Sequence, residues 1–193
     1  MIIALKTFFG LVLAMGPAAL AEFDSSNCTG GNYSVVQSPD STTLSILFDD
    51  FRVESTRASR VLQAHCDLQI PLHLPTGTSL GVYKVDYRGF AILPEKQFST
   101  LSVAYGLGRN NRGRIFRRKI NGVFDGDFLF TETLGGGQMK RVGCGEEAIL
   151  NVSILLGLQP GSSIEDSMAG LDSVDSTQKG ELIYHFNLKK CNR

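Results

Sequence analysis

The sequence predicts an all-β protein: a single antiparallel β-sandwich of about eight or nine strands, stapled by two disulfides. Three observations lead there. Apolar residues recur at every second position in run after run, most plainly at Ala148, Leu150, Val152, Ile154 and Leu156, with Asn151 and Ser153 facing the other way. A period of two is that of a strand with one buried face. No segment sustains a 3.6-residue apolar period, so long helices are not expected, and turn residues separate the short runs. A closed barrel is the alternative architecture.

Residues 1–21 stand outside the fold prediction. Lys6 supplies a positive start, Phe8 to Met15 an apolar stretch, and Ala19-Leu20-Ala21 the small-x-small pattern of signal-peptidase cleavage. A cut after Ala21 leaves 22–193 as one domain. An uncleaved anchor is disfavoured, because the apolar run is short for a bilayer, and no later segment reaches about 18 uninterrupted apolar residues. The expected address is secreted or extracytoplasmic. With 19 basic and 19 acidic residues, the chain has no general pull towards nucleic acid or anionic membrane. All four cysteines, Cys28, Cys66, Cys144 and Cys191, follow the cleavage site, and an even count in an exported chain favours disulfides. Three pairings are open. The preferred one is Cys28–Cys66 with Cys144–Cys191, the latter because Cys144 precedes one predicted strand and Cys191 follows its possible antiparallel neighbour.

In chain order, Tyr33 to Gln37 forms a short strand, and Ser38-Pro39-Asp40 a turn. Leu44, Ile46 and Phe48 mark the next strand, which Phe51 and Val53 extend past a kink at Asp49-Asp50. The stretch Cys66 to Ile92 reads as a central hairpin about Pro75-Thr76-Gly77. Pro71 in its first arm suggests an edge, and Gly89 in its second a bulge or close backbone approach. Leu101, Val103 and Tyr105 make a strand, Arg114 to Phe124 a charged, exposed arm, and Phe128 with Phe130 another strand. After the run 148–156, residues 159–179 are polar, acidic and rich in Ser and Gly, and read as a mobile loop. Leu182, Tyr184, Phe186 and Leu188 close the chain on one face.

Candidate sites are few. Gly77-Thr78-Ser79-Leu80-Gly81 matches the nucleophile-elbow pattern, but a strand rather than a helix follows Ser79, so turn chemistry is the favoured reading. Ser79, His185 and Asp86 can be written as a triad, although nothing in their spacing asks for it. His65, His73 and His185 form no metal-binding pair, and the cysteine spacing does not suit zinc. No cofactor is predicted. Asp125-Gly126-Asp127 offers carboxylates for calcium on a turn, and Asp49-Asp50 with Glu146-Glu147 offers a glycosidase pair if the fold unites them. The strongest local anomaly is basic. Arg109, Arg112, Arg114, Arg117, Arg118 and Lys119 could bind an acidic glycan or similar extracellular polymer. The competing and favoured reading is a solvated arm that protects a sheet edge. Asn27-Cys28-Thr29, Asn32-Tyr33-Ser34 and Asn151-Val152-Ser153 fit the glycosylation sequon.

LSILFDDF at 44–51, CDLQIPLHLPTG from Cys66 and VYKVDYRGF from Val82, with the four cysteines and the export signal, resemble an exported family of fungal and bacterial proteins. It is catalogued as a domain of unknown function, number four-three-six-zero. The matching positions are Phe48, Phe51, Cys66, Pro75, Gly77, Val85, Tyr87, Arg88 and Gly89. The resemblance implies export and a β-rich fold, and carries no catalytic residues with it. The functional expectation is a non-enzymatic secreted or surface-associated module that binds a polymer or partner. A secreted hydrolase with acid and base residues scattered in sequence is the alternative.

Overall fold

The computed structural model describes residues 27–29, 31–57, 60–109, 113–136, 140–161, 165–171 and 180–191. The expected signal peptide lies outside them. Chain order begins with β1 (Asn27–Cys28), β2 (Asn32–Gln37) and β3 (Thr43–Asp49). The turn between β2 and β3 is tied by Asp40, whose carboxylate accepts from the Ser38 hydroxyl at 2.6 Å and the Thr42 amide at 3.1 Å. After the kink, where Asp50 takes a φ of 73°, come β4 (Arg52–Ser55) and β5 (Arg60–Val61). Then follow β6 (Gln63–Pro71), β7 (Thr78–Leu93), β8 (Phe98–Leu107) and β9 (Arg114–Asn121). The last are β10 (Phe124–Thr133), β11 (Val142–Gly143), β12 (Ile149–Gln159), β13 (Ser167–Gly170) and β14 (Glu181–Lys190).

These strands form two antiparallel sheets, one of five strands in the order β1-β6-β12-β8-β9 and one of nine. The larger sheet has fewer positions than strands. Along one edge of β7, β14 faces Thr78 to Tyr87 and β13 faces Phe90 to Ile92, so the two lie end to end. Next to them β3 and β4 also lie end to end, continuing past the Asp49-Asp50 kink as expected. On the other edge of β7, β11 faces Ser79–Leu80 and β10 faces Lys84 to Leu93. Such interruptions account for fourteen strands among the described residues against the eight or nine expected.

The inward faces supply the core. Leu150, Val152, Ile154, Leu156 and Leu158 of β12 belong to one buried core with Val85, Tyr87, Leu182 and Tyr184 of the opposite sheet, all nearly inaccessible to solvent. Burying each such side chain contributes about 1.5–3 kcal/mol relative to leaving it exposed. In β7 the register shifts between His185 and Phe186 of its partner. That bulge lets Val82 and Val85, three residues apart, both face inward.

Two expectations need correction. The stretch Cys66–Ile92 is not a hairpin, because β6 belongs to the five-stranded sheet and β7 to the nine-stranded one. The chain turns a corner between layers, with the Leu72 amide donating to the Ala148 carbonyl at 2.7 Å. Alternation marks each strand's buried face and not its partner, and strands that face each other across a core alternate like strands paired by their edges. Secondly, the segment 159–179 contains β13, paired with both β4 and β7. Its small residues reflect tight packing: a Cβ on Gly170 would stand 2.6 Å from the Phe90 ring and 3.2 Å from Arg52 Cβ. Residues 162–164 and 172–179 lie outside the described set. Of the two readings of Gly89 the close backbone approach holds: it sits in regular register opposite Phe128, and a Cβ there would meet the Gly170 carbonyl.

Both disulfides join the preferred partners. Cys28 stands directly opposite Cys66 and pins β1 to β6. For Cys144–Cys191 the pairing holds but the expected neighbours do not, since β12 and β14 lie in different sheets. The bridge instead spans the start of β7. Cys144 follows β11 on one side, its amide 3.1 Å from the Thr78 carbonyl, and Cys191 follows β14 on the other, 2.9 Å from the Gly77 carbonyl.

Candidate functional site

The outward face of the five-stranded sheet carries a cleft of about 490 Å³. Register explains its shape. Along β8 the outward residues shrink from Phe98 through Thr100, Ser102 and Ala104 to Gly106, leaving a trough between its neighbours. Opposite Gly106, Ala104 and Ser102 on β12 stand Asn151, Ser153 and Leu155. Opposite Ala104, Ser102 and Thr100 on β9 stand Ile115, Arg117 and Lys119. Beyond β12, Gln69 and Asp67 of β6 extend the polar wall. Ile115 in the cleft's wall is 58% exposed, and Leu155, further along β12 on the same face, is 47% exposed. The cleft therefore combines amide, hydroxyl and carboxylate hydrogen-bonding groups with small apolar contact surfaces.

Among the described residues, the side chains of the basic run have separate partners. Arg109 pairs with Glu147, and its Nε donates to Oε2 at 2.7 Å. Arg114 turns to Glu132 at 3.1 Å. The Arg118 guanidinium lies 4.7 Å from the Phe116 ring centre, and Lys119 Nζ lies 3.7 Å from that of Phe98. Arg112 lies outside the described residues. Arg117 is exposed and has no acidic partner among the described residues. Among the described members of the run, Arg117 and Lys119 share the outward phase of β9 with Ile115, the residue of β9 that lines the cleft. Sequence reading missed the trough, although the outward phase of β12 and the diminishing side chains of β8 were its signal.

Other candidates disperse. His185 Nε2 does meet Asp86 Oδ2 at 2.9 Å, but Ser79 pairs with Lys189, four residues further along β14, about 13 Å away at the rise of a strand. Ser79 Oγ accepts instead from Arg141 Nε at 3.2 Å. Asp86 also receives Lys84 Nζ at 2.8 Å and the Thr131 hydroxyl at 2.6 Å. Burial would raise its carboxyl pKa, but the bonds from Lys84, Thr131 and His185 and the lysine charge outweigh it and hold the carboxyl below its ordinary range. His65 shares a contact of 3.0 Å with Thr29 Oγ1, and His73 binds Gln37 and Ser41 through its backbone. Asp125-Gly126-Asp127 runs through β10 and is not a turn. Asp50, Glu146 and Glu147 pair with Arg52, Lys140 and Arg109. Asn151 of the third sequon lies on the outer sheet face, its amide donating to the Gly108 carbonyl at 2.9 Å.

A second polar cluster lies between the layers. Glu132 stands opposite Val85, so its carboxylate points inward. It accepts from Tyr105 Oη at 2.7 Å, Tyr87 Oη at 3.1 Å and Arg114 Nε at 3.1 Å. Tyr105 meets Tyr184 edge-on, and Tyr87 stacks on Phe116 at 3.9 Å. Burial, reinforced by neighbouring charge, pushes the hydroxyls of Tyr87, Tyr105 and Tyr184 well above the phenol range. This cluster ties the two sheets together beside β9 and β10.

Fold, disulfides and site together define an extracytoplasmic, two-sheet antiparallel β protein with a polar trough on one face. The chain belongs to the family described as Domain of unknown function (DUF4360), whose model matches residues 21–191. It is 24% identical over 174 residues to a protein of Arthroderma benhamiae described as an uncharacterized secreted protein, covering 88% of this chain and 69% of that one. Among solved structures it is similar to the enzymatically active domain of bacteriophage CBA120 tailspike protein 4, with 9% identity and a TM-score of 0.30 over 86% of this chain. The chain spans only 19% of that tailspike chain's length. It is also similar to TmCBM61 in complex with beta-1,4-galactotriose, with 14% identity and a TM-score of 0.26 over 88% of this chain and 90% of that one. These scores are too low for a shared fold or ligand to follow.

Proposed function

We propose that the protein is a secreted, non-enzymatic module that binds an extended extracellular polysaccharide along β8. The observation that carries this reading is the trough itself. Gly106 and Ala104 form its floor, flanked by Asn151 and Ser153 on one side and Ile115 on the other, and the outward row of β8 continues from it through Ser102 and Thr100. Planar amides and hydroxyls can hydrogen-bond sugar hydroxyls, while the exposed Leu155 and Ile115 side chains offer contact to ring faces. The secreted relative and the two disulfides support the address.

Titration of the mature protein with a panel of soluble polysaccharides, followed by calorimetry, tests the reading. Ala104→Trp fills the trough floor and should abolish binding, and Ser102→Trp serves as the second variant should the first fail to fold. Folded variants that bind as tightly as the wild type would sink it. The expected single domain begins at Glu22. The mass of protein secreted from a eukaryotic or bacterial host tests that boundary, and a retained segment 1–21 would refute it.

A further inference from the structure

We infer that the trough is built for an acidic polysaccharide, whose anionic groups lie along the β9 wall against Arg117 and Lys119; this rests on the reading of the trough given above. The register sets both cations on the outward face, two residues apart, so about 7 Å separates them along the strand. The remaining described cations of the run are directed elsewhere. Arg109 and Arg114 are paired with carboxylates, and Arg118 folds over Phe116. Arg117 and Lys119 continue the β9 side of the outward face beyond Ile115, the residue of β9 that lines the cleft.

The opposite side has the reverse polarity. Asp67 lies on β6, across β12 and β8 from β9, three strand spacings or about 14 Å away. An acidic polymer is thereby oriented. Its carboxylates are drawn to β9 and repelled from β6, where Asp67, Gln69 and Asn151 receive hydroxyls instead. Lys119 Nζ lies over the Phe98 ring, an attraction that holds its ammonium against the outward row of β8. A neutral polymer would have no use for this division, and a featureless polyanion would have no use for the amides.

Polygalacturonate and its fully methyl-esterified form separate these cases, since they share a backbone and differ in charge. The wild-type protein should bind polygalacturonate with an affinity that falls as salt rises, and the ester more weakly. Arg117→Ala with Lys119→Ala should lose about three- to thirty-fold on the acid, the range two exposed ion pairs supply, and should lose less on the ester. No binding of polygalacturonate, equal binding of acid and ester, or a double variant that keeps its salt dependence would overturn the inference. Equal binding of poly-glutamate would do so too, by showing that charge alone is read. If acid and ester bind alike and Ala104→Trp abolishes both, the trough reading stands without the charge. If Ala104→Trp changes neither, the trough reading falls.

Discussion

Replacing Glu132 with alanine removes the acceptor of two phenols, Tyr87 at 0% and Tyr105 at 2% exposure. Neither hydroxyl can turn to solvent from that position. Orphaning a buried donor costs about 1–3 kcal/mol, so the pair costs roughly 2–5 kcal/mol. Arg114, the third donor, is 39% exposed and regains water, adding little. For a domain of this size each kcal/mol moves Tm by about 2–4 °C, so Glu132→Ala should melt roughly 5–15 °C lower. Urea unfolding monitored by circular dichroism measures the free energy directly, with an unchanged m-value expected. The control is Glu132→Ala combined with Tyr87→Phe and Tyr105→Phe, which removes the orphaned hydroxyls and should recover about half of the loss. A single variant costing under about 1 kcal/mol, or a triple variant no more stable than the single, would refute the assignment of an interlayer lock.

Cys144→Ser with Cys191→Ser opens a loop of 47 residues and should cost about 4 kcal/mol in the chain-entropy account, read by urea unfolding against the oxidised protein. Gly89→Ala sets a Cβ on the Gly170 carbonyl and 2.6 Å from the Phe128 ring, so it should destabilise by about 1–3 kcal/mol. A neutral Gly89→Ala in the same melt would contradict the close approach of β13 to β7. The lowered pKa of Asp86 means that its charged form stabilises the fold above the unfolded carboxyl value, near pH 4, and that this contribution fades as pH falls further. Asp86→Asn should therefore be less stable near neutrality and show a flatter acid limb below about pH 4. An identical acid limb in both proteins would remove that linkage.

The alternation of Leu150 to Leu158 and of Leu182 to Phe186 was enough to place the core-facing residues, because period two is a local property of the chain. Export and disulfide bonding were legible for a similar reason: both follow from composition and short patterns. Pairing was not. Nothing local in Cys66–Ile92 distinguishes a hairpin from a corner, and only the neighbours of β6 and β7 decide it. The Cys144–Cys191 bridge makes the same point, reached through an expected adjacency of β12 and β14 that does not exist.

What the sequence alone determined is an exported, disulfide-stapled β protein with its buried positions and an excess of cations between Arg109 and Lys119. What only the tertiary structure decided is which of those cations face what. Arg109 and Arg114 are paired with carboxylates, Arg118 and Lys119 lie over aromatic rings, and Arg117 and Lys119 share the outward sheet face with residues of β8 and β12. The physical reason is that a site on a sheet face is assembled across strands, from residues some 15 to 50 positions apart in the chain, by inter-strand register. Register depends on the partner strand as well as the strand itself, so no stretch read by itself contains it.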